Sequence, residues 1–220
     1  MKLAIFDLDN TLIAGDSDCL WGEFLSEHGY VDSEAYQAGH EKYYQDYLNG
    51  NLDIDAFLEF QLKALADNDR LQLEEWRENY IEEKIKPVML PKAIELIDKH
   101  RQQTHDLLII TATNRFLTEP IANEFKIDKL IACEPELING QYTGRVIGTP
   151  SYAEGKVTCF NDWLANHDQK LEECWFYSDS HNDIPLLRVI DHAIAVDPDE
   201  QLRETAIKNN WPIISLRCET

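Results

Sequence analysis

Short apolar runs alternate with longer amphipathic stretches along most of the chain. The first run, KLAIF at residues 2–6, predicts a short buried strand. Further strands are predicted after Pro87, between helical stretches, at HDLLIITAT, DKLIAC, ECWFYSD, HAIAV and WPIISL. EPELINGQYTGRVIG predicts a β-hairpin, because its Asn139-Gly140 pair suits a tight turn with positive φ. This order is typical of an α/β protein whose mostly parallel sheet is covered by helices on both faces.

Residues 16–86 interrupt this alternation with a stretch that reads as helical throughout. Its first part, SDCLWGEFLSEHG, combines a serine expected to cap the helix, apolar residues at helical spacing and a terminating glycine. The sequence therefore predicts two domains. Residues 1–15 and 87–220 form a Rossmann-like core, and residues 16–86 form an inserted all-helical cap. An insertion at this point would stand above the carboxyl ends of the strands, where open α/β sheets bind ligands.

The charge of the chain limits its partners. The chain has 20 basic and 41 acidic residues, and its net charge is −21. Such a surface repels nucleic acids and anionic lipids, so neither is expected as a partner. A small phosphorylated metabolite remains compatible with this charge, because a bound cation can reverse the local field.

The cysteines and the N-terminal segment predict a cytoplasmic protein. The five cysteines are widely spaced and form no C-x-x-C pair, which fits reduced thiols better than a disulfide frame or a zinc site. The apolar run near the N-terminus is too short for a signal peptide. Apolar runs such as LLII, at 107–110, are far shorter than a transmembrane span. The sequence leaves the oligomeric state open.

Polar side chains suited to phosphate chemistry follow the predicted strands. They are Asp7, Asp9 and Thr11, then Thr111, then Lys156 after the hairpin, and finally Ser178, Asp179 and Asp183. The ends of parallel strands lie side by side, so these residues should converge. Phosphoryl transfer needs such a set, with a nucleophile, a proton donor, a cation and donors for the remaining oxygens. Each residue alone could equally be a turn residue, a helix cap or a solvated lysine, and the prediction depends on their ordered occurrence.

These motifs, in this order, resemble those of the haloacid dehalogenase superfamily of phosphohydrolases. The D-x-D-x-T motif of that family is present as DLDNT, and the Ser or Thr that ends a strand as Thr111 in LLIITAT. The family lysine is Lys156 in AEGK, and the acidic pair is Asp179 and Asp183 in YSDSHND. The resemblance extends over the whole chain, including the position of the helical cap. It implies a phosphoric monoester hydrolase.

The resemblance also implies a role for each motif residue. Asp7 is expected to be the nucleophile that forms an aspartyl-phosphate, and Asp9 the acid that protonates the leaving alcohol and later activates water. Mg²⁺ is the expected cofactor, held by Asp7, the backbone carbonyl of Asp9 and Asp179, since this ion suits an all-oxygen site. Asp183 is expected to support the metal directly or through water. The residues expected to hold the phosphoryl oxygens are Thr11, Thr111 and Lys156.

Within the superfamily, the cap position and the EGK segment most resemble the phosphoserine phosphatase branch. In that branch an acid just beyond the first motif binds the substrate ammonium, and here Asp16 occupies that position with Asp18 nearby. The branch also uses a cap arginine to pair with the substrate carboxylate, but Gln61 lies near its place here. A Gly-Gly pair after the second motif is replaced by Ala112 and Thr113.

These departures favour a phosphate ester that carries an amine and no carboxylate. L-histidinol phosphate is such a molecule, and the DLDNTL…GDSD and TATNRF stretches resemble a branch that contains histidinol-phosphate phosphatases. The alternatives are a phosphoserine phosphatase, or a phosphotransferase that uses the same intermediate. A non-catalytic binding module is disfavoured because the nucleophile and the acid are both present. Asp16 and Asp18 could instead be helix caps, and the cap aromatics are expected mainly to form the core of the cap itself.

Overall fold

The structure, a computed structural model, describes residues 1–167 and 170–217. The predicted reduced thiol at Cys218 lies outside these residues, whereas Cys19, Cys133, Cys159 and Cys174 are free cysteines. Within the described residues there is one sheet of seven strands, in the order β4-β3-β2-β1-β5-β6-β7. The strands are β1 (Lys2–Phe6), β2 (Asp106–Asn114), β3 (Lys129–Ile138), β4 (Gln141–Ile147), β5 (Glu173–Ser178), β6 (His192–Val196) and β7 (Ile213–Ile214).

Every neighbouring pair in the sheet is parallel except β3 and β4, so the predicted fold class is confirmed. β3 and β4 form the predicted antiparallel hairpin, and its turn residues Asn139 and Gly140 have φ values of 52° and 83°. The central strand β1 shows that both faces of the sheet are covered. Alternate residues of a strand point to opposite sides. Accordingly, Ala4 and Phe6 pack into one hydrophobic cluster and Leu3 and Ile5 into the other.

Helices α5 (Pro91–Gln102), α6 (Arg115–Glu124), α7 (Glu154–Ala165), α8 (Ile184–Leu187) and α9 (Glu200–Asn209) alternate with these strands. Two of the sequence-predicted elements are shorter in the structure. The WPIISL segment contributes only the two residues of β7, and the NDIPLLRVI segment contributes only the single turn of α8, after a 3₁₀ turn at His181–Asp183. No helix in the described part of the chain is long and apolar enough to cross a membrane.

Four helices lie between β1 and α5: α1 (Ser17–Glu27), α2 (Ser33–Leu48), α3 (Ile54–Asp67) and α4 (Arg70–Tyr80). A π-helical turn at Ile81–Ile85 and a 3₁₀ turn at Lys86–Val88 then lead to the core. We call residues 17–88 the helical insertion. The N-cap of α1 is Asp16, not the predicted Ser17, because the Asp16 carboxylate accepts from the Cys19 amide at 2.8 Å. A carboxylate at this position also complements the positive end of the helix dipole.

Candidate active site

The carboxyl ends of the central strands bring the motif residues into one region. Asp7 directly follows β1, and its amide continues the ladder by donating to the Tyr177 carbonyl at 2.9 Å. Thr111 lies near the end of β2, and Ser178 ends β5. Lys156 comes from the first turn of α7, and Gly155 before it permits a close approach, because a Cβ there would lie 2.1 Å from the Pro150 carbonyl oxygen.

Lys156 is the centre of a buried ion network. Its Nζ lies 2.7 Å from Asp7 Oδ1 and 2.7 Å from Asp183 Oδ1. The Ser178 hydroxyl donates to Asp183 Oδ2 at 2.7 Å. Burial alone would lower the pKa of Lys156, but Asp183 and Asp7 outweigh this effect and raise the pKa above its usual value. The lysine is therefore a permanent cation that offsets two buried carboxylates.

Lys156 does not fully compensate the negative charge around the Asp7 carboxylate. Its exposed fraction is 7 %, and burial raises its pKa to about 7. Lys156 lowers this pKa, but the nearby charges of Asp183 and Asp9 raise it again. The group sits in a region with more negative than positive charge, which a bound cation would relieve.

The Asp9 carboxylate is held by donors on both oxygens. The Ser17 amide, at the start of α1, donates to Oδ1 at 2.6 Å. The Thr113 hydroxyl donates to Oδ2 at 3.0 Å, and the Thr111 hydroxyl lies 3.4 Å from the same oxygen. Burial, followed by the charge of Asp16, raises the pKa of Asp9 to about 6. A carboxyl group with this pKa can hold a proton close to neutrality.

Thr11, which is expected to hold a phosphoryl oxygen, contacts Asp179 in the structure. Its side chain is fully buried and braces Asp179 in two ways. The Thr11 hydroxyl donates to Asp179 Oδ1 at 3.1 Å, and the Asp179 amide donates to that hydroxyl at 3.1 Å. Burial and the charges of Asp7 and Asp183 raise the pKa of Asp179 well above its ordinary value.

The predicted magnesium ligands fit a cation in their chemistry. Asp7 and Asp179 are carboxylates whose pKa values are raised partly by neighbouring negative charge. Among the described residues, no three His, Cys, Asp or Glu side chains form a ready metal cluster. The predicted site needs fewer such side chains, since one ligand is the Asp9 carbonyl and Mg²⁺ keeps several waters.

A cavity of about 90 Å³ lies over Asp7 and Asp9, between the core and the helical insertion. The core side contributes Thr111, Ala112, Thr113, Tyr152, Lys156, Ser180, Asn182 and Asp183, and the insertion side contributes His40, Tyr43, Tyr47, Leu52, Ile54 and Phe57. Asp16 and Asp18 also line it, so the structure brings both acids to the same cavity as Asp7. Lys156 is the only lysine or arginine among the described lining residues.

Asp16 and Asp18 have different surroundings. Asp16 caps α1, as described above, which agrees with the capping alternative. Asp16 also lines the cavity wall. Asp18 is 3 % exposed. Its Oδ2 lies 3.2 Å from the Thr113 hydroxyl, and its Oδ1 accepts from Asn114 Nδ2 at 3.4 Å. Gln61, near the expected place of the missing arginine, lies outside the cavity wall and its Oε1 accepts from the Tyr36 hydroxyl at 2.7 Å.

Sequence reasoning missed several residues around the cavity. Thr113 could have been found, because it lies two residues after Thr111 and a strand places such residues on one face. The cavity tyrosines Tyr43 and Tyr47 are also detectable as an i, i+4 pair on α2. The cap aromatics are expected mainly to form the core of the cap. Trp21, which is 1 % exposed, does so, whereas Tyr43 and Tyr47 line the cavity.

The loop after β5 carries a second bracing contact with no sequence signal. The Asp199 carboxylate Oδ2 accepts from the His181 amide at 2.7 Å and from His181 Nδ1 at 2.8 Å. The Asp199 amide in turn donates to the Asp179 carbonyl at 2.9 Å. His181, to which sequence assigned no role, thus helps to fix the loop that carries Asp179 and Asp183.

The haloacid dehalogenase-like hydrolase family matches residues 4–188 of the chain. The chain belongs to this family. A histidinol-phosphatase of Neisseria meningitidis serogroup C is 42% identical over 98% of this chain and 99% of its own length. The family assignment and this relative confirm the prediction of an enzyme of the phosphatase class.

Two solved structures are similar to this chain in fold. A protein of unknown function from Bordetella pertussis Tohama I has a TM-score of 0.93 and 38% identity, over 98% of this chain and 99% of its own. A substrate-bound phosphoserine phosphatase complex has a TM-score of 0.69 and 19% identity, over 98% of this chain and 93% of its own. The second likeness, at this identity, concerns the fold alone.

Proposed function

We propose that this phosphatase is a Mg²⁺-dependent phosphomonoesterase that forms an aspartyl-phosphate on Asp7 and acts on L-histidinol phosphate. The observation that supports it most is the placement of Asp7 and Asp9 below one cavity whose wall also contains Asp16 and Asp18. A nucleophile, an acid and an amine-binding wall are thereby available to a single small phosphate ester.

In this proposal Asp7 attacks phosphorus, and the bond between phosphorus and the ester oxygen breaks. Asp9 gives its proton to the departing alcohol oxygen, for which its raised pKa is suited. Asp9 then takes a proton from water, and that water attacks phosphorus, releasing inorganic phosphate and restoring Asp7. Lys156 fixes the orientation of Asp7 by its 2.7 Å contact and offsets charge on the phosphoryl group.

Asp7, the Asp9 carbonyl and Asp179 would hold Mg²⁺, with Asp183 in support. The ion supplies charge neutralisation on the phosphoryl oxygens. Thr111 and Lys156 would hold phosphoryl oxygens from the other side, since both line the cavity. Thr11 would act on the site through Asp179, which it braces.

The amine preference follows from the charges of the cavity wall. A substrate carboxylate would meet Asp16 and Asp18 with no arginine to pair with it, and an unpaired charge in a closed site is costly. A substrate amine would instead find two carboxylates. This argument favours histidinol phosphate over phosphoserine, and the name of the Neisseria meningitidis relative agrees with it.

Residues 16–86 are proposed as a cap domain over a core of residues 1–15 and 87–220. The cavity supports this division, because it lies between residues of the core and residues of the helical insertion. Across the cavity, Tyr47 of α2 donates to the Ser180 hydroxyl of the core at 2.8 Å.

A cytoplasmic location is proposed from the free cysteines Cys19, Cys133, Cys159 and Cys174.

The proposed function can be tested by a phosphatase screen over phosphorylated metabolites, with and without Mg²⁺. We expect phosphate release from histidinol phosphate with Mg²⁺, loss of activity on chelation and recovery when Mg²⁺ is restored. The same screen with added alcohols detects phosphotransfer as a new phosphate ester. Activity that survives exhaustive chelation would contradict the proposed metal site, and a preference for phosphoserine would contradict the amine argument.

A further inference from the structure

Thr113 stands where two acids of the cavity meet. Its side chain is 4 % exposed, and its hydroxyl lies 3.0 Å from Asp9 Oδ2 and 3.2 Å from Asp18 Oδ2. A hydroxyl group has one proton to donate, so it can serve only one of these carboxylates at a time. The other carboxylate keeps a donor of its own, namely the Ser17 amide for Asp9 and Asn114 Nδ2 for Asp18.

We infer that Thr113 is a positioning residue for Asp9, which sets the direction of its carboxyl group toward the leaving oxygen. The inference rests on the proposed function, in which Asp9 is the acid. The Ser17 amide fixes Oδ1 at 2.6 Å, so Oδ2 is the oxygen available to carry the proton. The Thr113 hydroxyl lies 3.0 Å from Oδ2 and so holds this second oxygen in place.

The backbone around Thr113 supports such a role. β2 is paired with β1 only as far as Ile109, and its register with β3 shifts between Ile110 and Asn114. The Thr113 amide donates to the Thr111 hydroxyl at 3.1 Å, which ties the two threonines together. The irregular strand end thus carries two hydroxyl groups to the same oxygen of Asp9.

The inference is tested with two substrates that differ in how much they need an acid. Phenyl phosphate releases a poor leaving group that gains from protonation, whereas p-nitrophenyl phosphate releases a stable anion. Neither carries an amine, so a change at Asp18 does not affect its recognition. The quantity to compare is kcat/KM, because it reports departure of the leaving group before the common phosphoenzyme is hydrolysed.

For Thr113→Val we expect kcat/KM on phenyl phosphate to fall roughly 10-fold or more, the size of a lost hydrogen bond to a charged group. The loss on p-nitrophenyl phosphate should be much smaller. Thr113→Ser keeps the hydroxyl and should recover most of the lost rate. Thr118→Val is the matched control, because the buried Thr118 hydroxyl of α6 donates only to the carbonyl of Asn114, the N-cap residue of that helix, among its described contacts. If the valine variant does not fold, Thr113→Ala removes the same hydroxyl.

Equal losses on both substrates, or no loss on either, would overturn the role of Thr113. Asp9→Asn separates this outcome from a failure of the proposed function. Asp9→Asn should lose far more activity on phenyl phosphate than on p-nitrophenyl phosphate. If it does not, then Asp9 is not the acid and the proposed function itself is wrong at that residue.

Discussion

Lys156 shows how a single side chain makes the buried acids of the site compatible with folding. Its ammonium group contacts both Asp7 and Asp183 at 2.7 Å, and all three side chains are less than 10 % exposed. Removing the lysine would leave two buried carboxylates uncompensated, and breaking a buried ion pair in this way typically costs about 3–5 kcal/mol. Substitutions that neutralise a carboxylate without removing its shape are therefore the informative ones at this site.

The first prediction at this scale is that Asp7→Asn abolishes turnover while the protein still folds. An amide cannot attack phosphorus, so no aspartyl-phosphate can form. Folding should survive because Lys156 keeps Asp183 as its partner and the variant removes one charge from an acidic cluster. Initial rates and a thermal melt, run on the same preparation, check both parts. Wild-type activity in the purified variant would exclude Asp7 as the nucleophile.

A second residue-level prediction concerns Asp16 and the substrate amine. A charged hydrogen bond contributes about 1.5–3 kcal/mol, so Asp16→Asn should lower kcat/KM for histidinol phosphate by roughly 10- to 150-fold. Hydrolysis of p-nitrophenyl phosphate, which has no amine, is the control. An asparagine can still accept from the Cys19 amide and cap α1, so the helix should be retained. Equal losses on both substrates would mean that Asp16 acts only as a structural cap.

At the scale of elements, the site depends on the ends of β1, β2 and β5 and on contacts from the helical insertion. Tyr47 of α2 donates to Ser180, and the neighbouring Tyr152 donates to Asn182 at 3.0 Å. Both contacts reach the loop after β5 that carries Asp179 and Asp183. The helical insertion thus contacts the loop that carries Asp179 and Asp183.

Tyr47→Phe should weaken the closed arrangement of the insertion over the cavity. A neutral hydrogen bond contributes about 0.5–1.5 kcal/mol, which corresponds to a loss in kcat/KM of roughly 2- to 10-fold. We expect the loss to appear mainly as a higher KM, since the reacting groups are unchanged. Tyr30→Phe is the control and should leave the kinetics unchanged, because the Tyr30 side chain is exposed and lies outside the cavity lining. An unaltered KM in Tyr47→Phe would mean that this contact does not hold the insertion closed.

The element order was predictable because apolar runs bounded by helices identify a parallel sheet without any tertiary information. The turn at Asn139-Gly140 was predictable for the same local reason, since those residues tolerate positive φ. The N-cap of α1 was misassigned, because Asp16 and Ser17 are both good caps and only the fold selects between them. Likewise, the place of Thr11 and the Asp199 contact with His181 depend on loops brought together across the sheet, which no local pattern encodes.

At the scale of the whole molecule, one buried histidine makes stability depend on pH. His100 of α5 is 6 % exposed, and its Nε2 lies 2.8 Å from the Tyr177 hydroxyl. Burial, together with His105 and Lys99, lowers the pKa of His100 from 6.5 to about 4. The unfolded chain therefore binds this proton more readily than the folded protein, and acid favours unfolding through this group.

We predict that His100 stabilises the folded protein above about pH 6.5 and loses this contribution as the pH falls toward 4. Urea melts of wild type and His100→Asn between pH 7 and pH 4 measure it. The difference in free energy of unfolding between the two should shrink steadily over that range. His192→Asn, at an exposed histidine, provides a comparison. A difference that stays constant with pH would contradict the assignment.

The proposed function is tested most directly by the ratio of kcat/KM for L-histidinol phosphate to kcat/KM for phosphoserine, measured with Mg²⁺. The ratio measures how strongly the cavity prefers a substrate amine to a substrate that also carries a carboxylate. Lys156 is the only lysine or arginine among the described residues of the cavity wall. We expect a ratio well above one, and a fall in that ratio when Asp16 is replaced by asparagine. A ratio below one in the wild type would contradict the proposed function, because a substrate carboxylate would then be preferred in a cavity that offers it no partner.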